Sequence, residues 1–123
     1  MSDLAELVGN YLEIWNEADP QARERKIAEV WAENCSYTDP LAAVQGRAGV
    51  AAVISGAREQ FPGHEFKLIS AVDSHHNIAR FTWELVPAGG GDSLVIGFDV
   101  AVVDADGRIR DVYGFLDKVP SAA

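Results

Sequence analysis

Three side chains in this sequence have types and settings that could do chemistry: Asp99, Asp39 and Tyr11. Asp99 interrupts the run Leu94-Val95-Ile96-Gly97-Phe98-Asp99-Val100-Ala101-Val102-Val103. That run is apolar on both alternating faces, as a strand buried on both sides reads. A carboxylate there costs several kcal/mol of desolvation unless it is paired, hydrogen-bonded or protonated. Two readings stand: a structural pair with Arg80 or Arg110, or a carboxylic acid kept neutral so that it donates a hydrogen bond in a pocket. Asp39, in Tyr37-Thr38-Asp39-Pro40, precedes a proline and is biased to extended backbone, which sets it at a strand-to-loop corner. It either caps the turn or accepts a proton at the mouth of the fold, beside an aromatic ring. Tyr11 lies on the apolar stripe of a first helix, and its hydroxyl needs a partner once buried, ordinarily a backbone carbonyl. Trp15, Trp83, Phe98 and Tyr113 line a pocket or are simply core.

Other chemistries lack their spacing. His64, His75 and His76 show neither an i, i+4 pair nor the Cys and carboxylate pattern of a metal site. No serine stands in G-x-S-x-G, and Cys35 has no evident activating base. Gly89-Gly90-Gly91 lacks the Lys and helix of a phosphate loop and reads as a hairpin turn.

The elements that must position these residues follow from periodicity. Leu4, Leu7, Val8, Tyr11, Leu12 and Trp15 form the stripe of an amphipathic helix running roughly from Leu4 to Glu17. Asp19 then Pro20 reads as an N-cap followed by proline at the first helical position. A second helix should bury Ile27, Val30 and Trp31 and stop near Asn34. Cys35 to Asp39 is a short extended piece. Val50, Val53, Ile54, Ala57 and Phe61 mark a third helix, ended by Pro62 and Gly63. From Glu65 the period becomes two, predicting antiparallel strands near Glu65 to Val72, Ile78 to Val86, Ser93 to Asp104 and Arg108 to Val119. Asp73 to Asn77, Gly89 to Asp92 and Asp104 to Gly107 are the expected turns. Three N-terminal helices packed on a curved antiparallel sheet make an α+β fold with a cavity between sheet and helix. Gly97, Ala101 and Gly114 either let the strands bend or serve as packing positions.

The 123 residues suit one domain, 1–123. Ten basic residues against nineteen acidic give a net charge of −9, a field that repels nucleic acid and anionic lipid. No apolar run reaches the roughly 20 residues that cross a bilayer, and the acidic amphipathic start is unlike an export signal. A cytoplasmic location is the expectation, and a single free cysteine fits it.

The helix-one stripe, the segment W-A-E-N-C-S-Y-T-D-P from Trp31 to Pro40, the Gly46-Arg47-Ala48-Gly49-Val50 start of helix three and the closing strands resemble the NTF2-like superfamily, SnoaL-like branch. The resemblance covers nearly the whole chain and implies the cystatin-like cone of that superfamily. Its cone hosts isomerases, dehydratases, cyclases, epoxide hydrolases and non-enzymatic binding modules. The site pattern is similar to that of the steroid Δ-isomerases: a helix-one tyrosine, an aspartate in a D-P corner and an aspartate in a late strand. By that resemblance Asp39 would move a proton next to a carbonyl, while Tyr11 and protonated Asp99 would hydrogen-bond the dienolate oxygen. Trp15, Tyr37, Trp83 and Tyr113 would flank a small apolar cyclic ketone, no metal or organic cofactor would be needed, and the chain would form a homodimer. This sequence departs in a longer interval from Tyr11 to Asp39 and in Ile54, which stands where some members carry an auxiliary tyrosine. The alternatives are a non-catalytic ligand-binding or dimerisation module, or another SnoaL-like enzyme.

Overall fold

The computed structural model describes residues 4–120. Leu4–Asn16 forms α1, with Val8, Tyr11, Leu12, Ile14 and Trp15 buried along one face. Pro20–Val30 forms α2, whose N-cap Asp19 accepts a hydrogen bond from the Ala22 amide at 3.2 Å. The chain then enters β1, Trp31–Thr38, and a short β2, Ala43–Gln45, before α3, Gly46–Gln60. The remaining strands are β3 (His64–Leu68), β4 (Asp73–His75), β5 (Ile78–Pro87), β6 (Val95–Val103) and β7 (Ile109–Lys118).

These strands form one sheet in the order β2-β1-β7-β6-β5-β3, with β4 also paired to β5. The sheet is mixed rather than purely antiparallel, because β1 runs parallel to β7. That pairing also corrects the expected end of the second helix: Trp31 is in extended conformation and belongs to β1, so α2 stops at Val30 and not near Asn34. A strand whose partner lies some 75 positions later in the chain, as Ser36 does from Asp111, leaves no local signal. The expected strand from Glu65 to Val72 is likewise split. β3 pairs with β5 up to Leu68 opposite Trp83, and β4 resumes at Asp73 opposite Arg80, inside what the sequence marks as a turn. The Asp104 turn forms as expected, with its carboxylate accepting from the amides of Asp106 and Arg108 and Gly107 at φ 81°.

Burial alternates along β6. Val95, Gly97, Asp99, Ala101 and Val103 face the interior, while Ile96, Phe98, Val100 and Val102 are only half-buried on the other side. The strand is therefore not buried on both faces as its sequence suggests, because the helices cover one side of the sheet only. Gly97 lies opposite Trp83 in the β5–β6 ladder, and a Cβ there would stand 2.0 Å from the indole Cζ2. Its absence of a side chain is what lets the Trp83 ring lie flat on the strand.

The Gly46-Arg47-Ala48-Gly49-Val50 segment has a mechanical role. The Arg47 guanidinium donates to the carbonyls of Trp31, at 2.8 and 3.1 Å, and of Ala28, at 3.2 Å, closing the end of α2. A Cβ on Gly49 would come within 2.9 Å of Val44 Cβ, so the glycine sets how closely α3 approaches β2.

Candidate active site

Each of the three acidic or phenolic side chains reaches the interior by a different element. Tyr11 comes from the buried face of α1, Asp99 from the interior side of β6, and Asp39 from the corner after β1. All three line one cavity of about 840 Å³, together with Trp15, Tyr37 and Trp83. The rest of the wall is predominantly apolar and includes Phe61, Phe66 and Leu116.

Asp99 is 2% exposed, and Tyr11 donates its hydroxyl to Asp99 Oδ2 at 2.9 Å. Neither arginine considered from the sequence reaches it: Arg80 pairs with Asp73 and Arg110 with Asp111. Burial pushes the Asp99 carboxyl up to about 6, against the Trp83 indole and the Tyr11 hydroxyl, which favour its ionised form, and with the charge of Asp39, which opposes it. Tyr11 is raised well above the usual tyrosine value, by burial first and then by the charge of Asp99.

Asp39 is tied at both oxygens. Oδ1 accepts from the Leu41 and Ala42 amides, each at 2.8 Å, and Oδ2 accepts the Tyr37 hydroxyl at 2.7 Å. The turn-capping and pocket readings of Asp39 are thus both physically present, since the same carboxylate closes the turn and faces the cavity. Burial raises the Tyr37 hydroxyl far above its ordinary value, with Asp99 and Asp39 adding to the effect.

Gly114 is the residue whose part the sequence did not reveal. It is the cross-strand neighbour of Asp99, and a Cβ at this position would lie 2.8 Å from Asp99 Oδ1 and 3.4 Å from Asp39 Cβ. The glycine therefore leaves the space in which the two carboxylates approach the same wall. Its neighbour Tyr113, expected in the lining, lies on the opposite side of β7, 44% exposed and away from the cavity. The alternation of the strand admits only one of the two, and Gly114 takes the inner position. Among the described residues no group of three His, Cys, Asp or Glu side chains stands close enough together to hold a metal ion, and no helix is long and apolar enough to cross a membrane.

Residues 8–112 match the model of the SnoaL-like domain. The chain belongs to the SnoaL-like family. A solved relative from Agrobacterium tumefaciens, provisionally described as an isomerase of the SnoaL-like family, is 42% identical over 91% of this chain and 95% of its own, with a TM-score of 0.86. An NTF2-like protein from Cytophaga hutchinsonii is 12% identical over 95% of this chain and 92% of its own, with a TM-score of 0.67. A protein from Sinorhizobium meliloti, provisionally described as a polyketide cyclase, is 16% identical over 89% of this chain and 93% of its own, with a TM-score of 0.70. The last two establish the fold, which is NTF2-like: a curved, open sheet around a SnoaL-like cavity. No protein of curated function matches the sequence.

Proposed function

We propose that this SnoaL-like chain catalyses a cofactor-free, ketosteroid-isomerase-like proton transfer on a small apolar cyclic ketone. The observation that carries this reading is the convergence of Tyr11, Asp39 and Asp99 on one largely apolar cavity, with Asp99 buried, hydrogen-bonded to Tyr11 and pushed up to about 6 instead of being held ionised by a cation. The 42%-identical relative provisionally described as an isomerase agrees with it.

In this mechanism Asp39 removes a proton from the carbon next to the carbonyl and returns it two carbons away. Tyr37 yields Oδ2 to the substrate while the Leu41 and Ala42 amides keep the carboxylate in place through Oδ1. Charge gathers on the carbonyl oxygen in the dienolate; Tyr11 turns its proton from Asp99 to donate to it, joined by Asp99 in the molecules that hold its proton, a share that grows as pH falls through about 6. A positioned base contributes roughly 10²- to 10⁴-fold in rate, and a donor at a developing oxyanion roughly 2.7–4 kcal/mol. Trp15, Tyr37 and Trp83 flank the ring.

A second reading, a non-catalytic ligand-binding module, is favoured by the full hydrogen bonding of Asp39, which suits a structural turn as well as a resting base. Under either reading the chain pairs with a second copy through the outer sheet face, where Tyr113 and Phe115 are 44% and 58% exposed beside the half-buried Phe98. A Phe115→Glu variant that sediments as a monomer while wild type sediments as a dimer supports that pairing; identical sedimentation removes it.

The deciding experiment is the isomerisation of a β,γ-unsaturated cyclic ketone by wild type, Asp39→Asn and Asp99→Leu. Wild-type turnover lost in both variants supports the proton-transfer site. Wild-type turnover no faster than buffer overturns the isomerase reading and leaves ligand binding or another chemistry of the SnoaL-like fold.

A further inference from the structure

Trp15 Nε1 is buried and meets no hydrogen-bond acceptor among the described residues. A buried donor left unmet is costly, so its place in the cavity wall calls for an explanation. Trp15 follows Tyr11 by four positions on α1, which sets both side chains on one helical face. Their rings meet edge-on, with centroids 6.3 Å apart and planes at 62°.

The indole is held firmly in this place. Arg58 Nη1 donates to the Trp15 carbonyl at 2.9 Å, and Asn16 exchanges two hydrogen bonds with the Phe66 backbone, at 2.9 and 2.7 Å. The Phe66 and Tyr37 rings pack against it with centroids 5.3 and 5.7 Å away. Burial above all, and then the charges of Asp99 and Tyr37, raise the Tyr11 pKa; the Trp15 N–H, which favours the ionised phenol without making a hydrogen bond of full geometry to it, works against them. Trp31 Nε1 is also buried and unmet, and the Trp31 ring packs on that of Tyr11 with centroids 5.9 Å apart, but Trp31 does not line the cavity where a ligand would draw the Tyr11 proton.

We propose that Trp15 is a positioning residue for the oxyanion end of the cavity: its indole N–H hydrogen-bonds to the Tyr11 oxygen as Tyr11 leans its proton towards a ligand oxygen. Negative charge on the ligand is thereby shared with Tyr11 and answered one helical turn away. The assignment rests on the oxyanion role given to Tyr11 above. It favours ligands that are planar, apolar and carry one ring oxygen able to bear charge, a phenolate or an enolate.

Two measurements test it, neither requiring turnover. In ¹⁵N-labelled protein, saturating 2-naphthol is expected to move the Trp15 indole proton resonance in wild type and to move it far less in Tyr11→Phe, which keeps the ring and removes the hydroxyl. A Trp15 resonance that responds to 2-naphthol alike in both proteins overturns the proposal. In the second, 2-naphthol and naphthalene are titrated into wild type and Trp15→Phe. One hydrogen bond is worth roughly 1 kcal/mol, or about 5-fold in affinity, so the variant should lose about that factor for 2-naphthol and nothing for naphthalene. Equal losses for both reduce Trp15 to packing. A wild type that prefers 2-naphthol and a variant that keeps the preference overturn the Trp15 assignment alone. A wild type with no preference for the hydroxyl overturns the oxyanion reading, and Trp15 with it.

Discussion

Gly114 and Asp99 face each other across the β6–β7 ladder with no room between them for a methyl group, since a Cβ on Gly114 would lie 2.8 Å from Asp99 Oδ1. Gly114→Ala is expected to push the carboxylate off the Tyr11 hydroxyl and to cost about 1–3 kcal/mol of stability through overpacking. Ketone turnover should fall more than 10-fold, roughly the loss of one hydrogen bond to a charged group. Gly9→Ala, on the exposed side of α1 with nothing within 4 Å, should instead stabilise the protein by about 0.5–1 kcal/mol. Denaturant midpoints of the two variants check both signs.

Asp99 ties stability to pH. Its carboxyl is raised from 3.8 to about 6 in the folded chain, so the folded state holds that proton more tightly than the unfolded one. The resulting stabilisation is complete below about pH 4 and is lost as pH rises through 6, an amount of about 3 kcal/mol at roughly 1.4 kcal/mol per unit. Asp99→Asn cannot ionise, and should be about 1–3 kcal/mol more stable than wild type at pH 7.5, with the gain shrinking to near zero at pH 4. Urea unfolding of both proteins at the two pH values measures it; a constant difference would show that burial of this carboxylate is not its cause.

Asp39 separates structure from chemistry by the choice of replacement. Asn keeps an oxygen for the Leu41 and Ala42 amides, whereas Ala leaves both without the partner they have at 2.8 Å. Asp39→Asn is therefore expected to unfold within about 1 kcal/mol of wild type and Asp39→Ala to be weaker by about 1–2 kcal/mol. Both should lose roughly 10²- to 10⁴-fold in isomerisation rate. An Asn variant as active as wild type would leave Asp39 a turn residue only.

Arg47 should matter to stability and hardly at all to the cavity. Its guanidinium holds the Ala28 and Trp31 carbonyls where α2 passes into β1, and it does not line the cavity. Arg47→Met keeps the aliphatic stem and removes these bonds, with an expected loss of about 1–3 kcal/mol. Affinity for 2-naphthol at a temperature where the variant is folded should be unchanged, as titration would show.

The amphipathic period of α1, the Asp19-Pro20 cap, the start of α3 at Gly46 and the Asp-Gly hairpin before β7 were all legible in the sequence. Each is written in interactions only a few residues apart. The odd position of Asp99 was legible too, because one carboxylate in an apolar strand is a local anomaly. Long-range partners are not local. That Asp99 meets Tyr11 and not Arg80 or Arg110, that Trp31 leaves α2 to pair beside β7, and that Gly114 rather than Tyr113 faces inward depended on the register of strands distant in the chain. A shift of one residue in that register exchanges the two faces of a strand. The sequence by itself determined which residues were unusual and where the three helices and the longer strands lie, but not the end of α2 or the short strands β2 and β4; the tertiary structure alone decided which residues share a cavity, because only the closed set of strand pairings and the single helix-covered face set the distances between them.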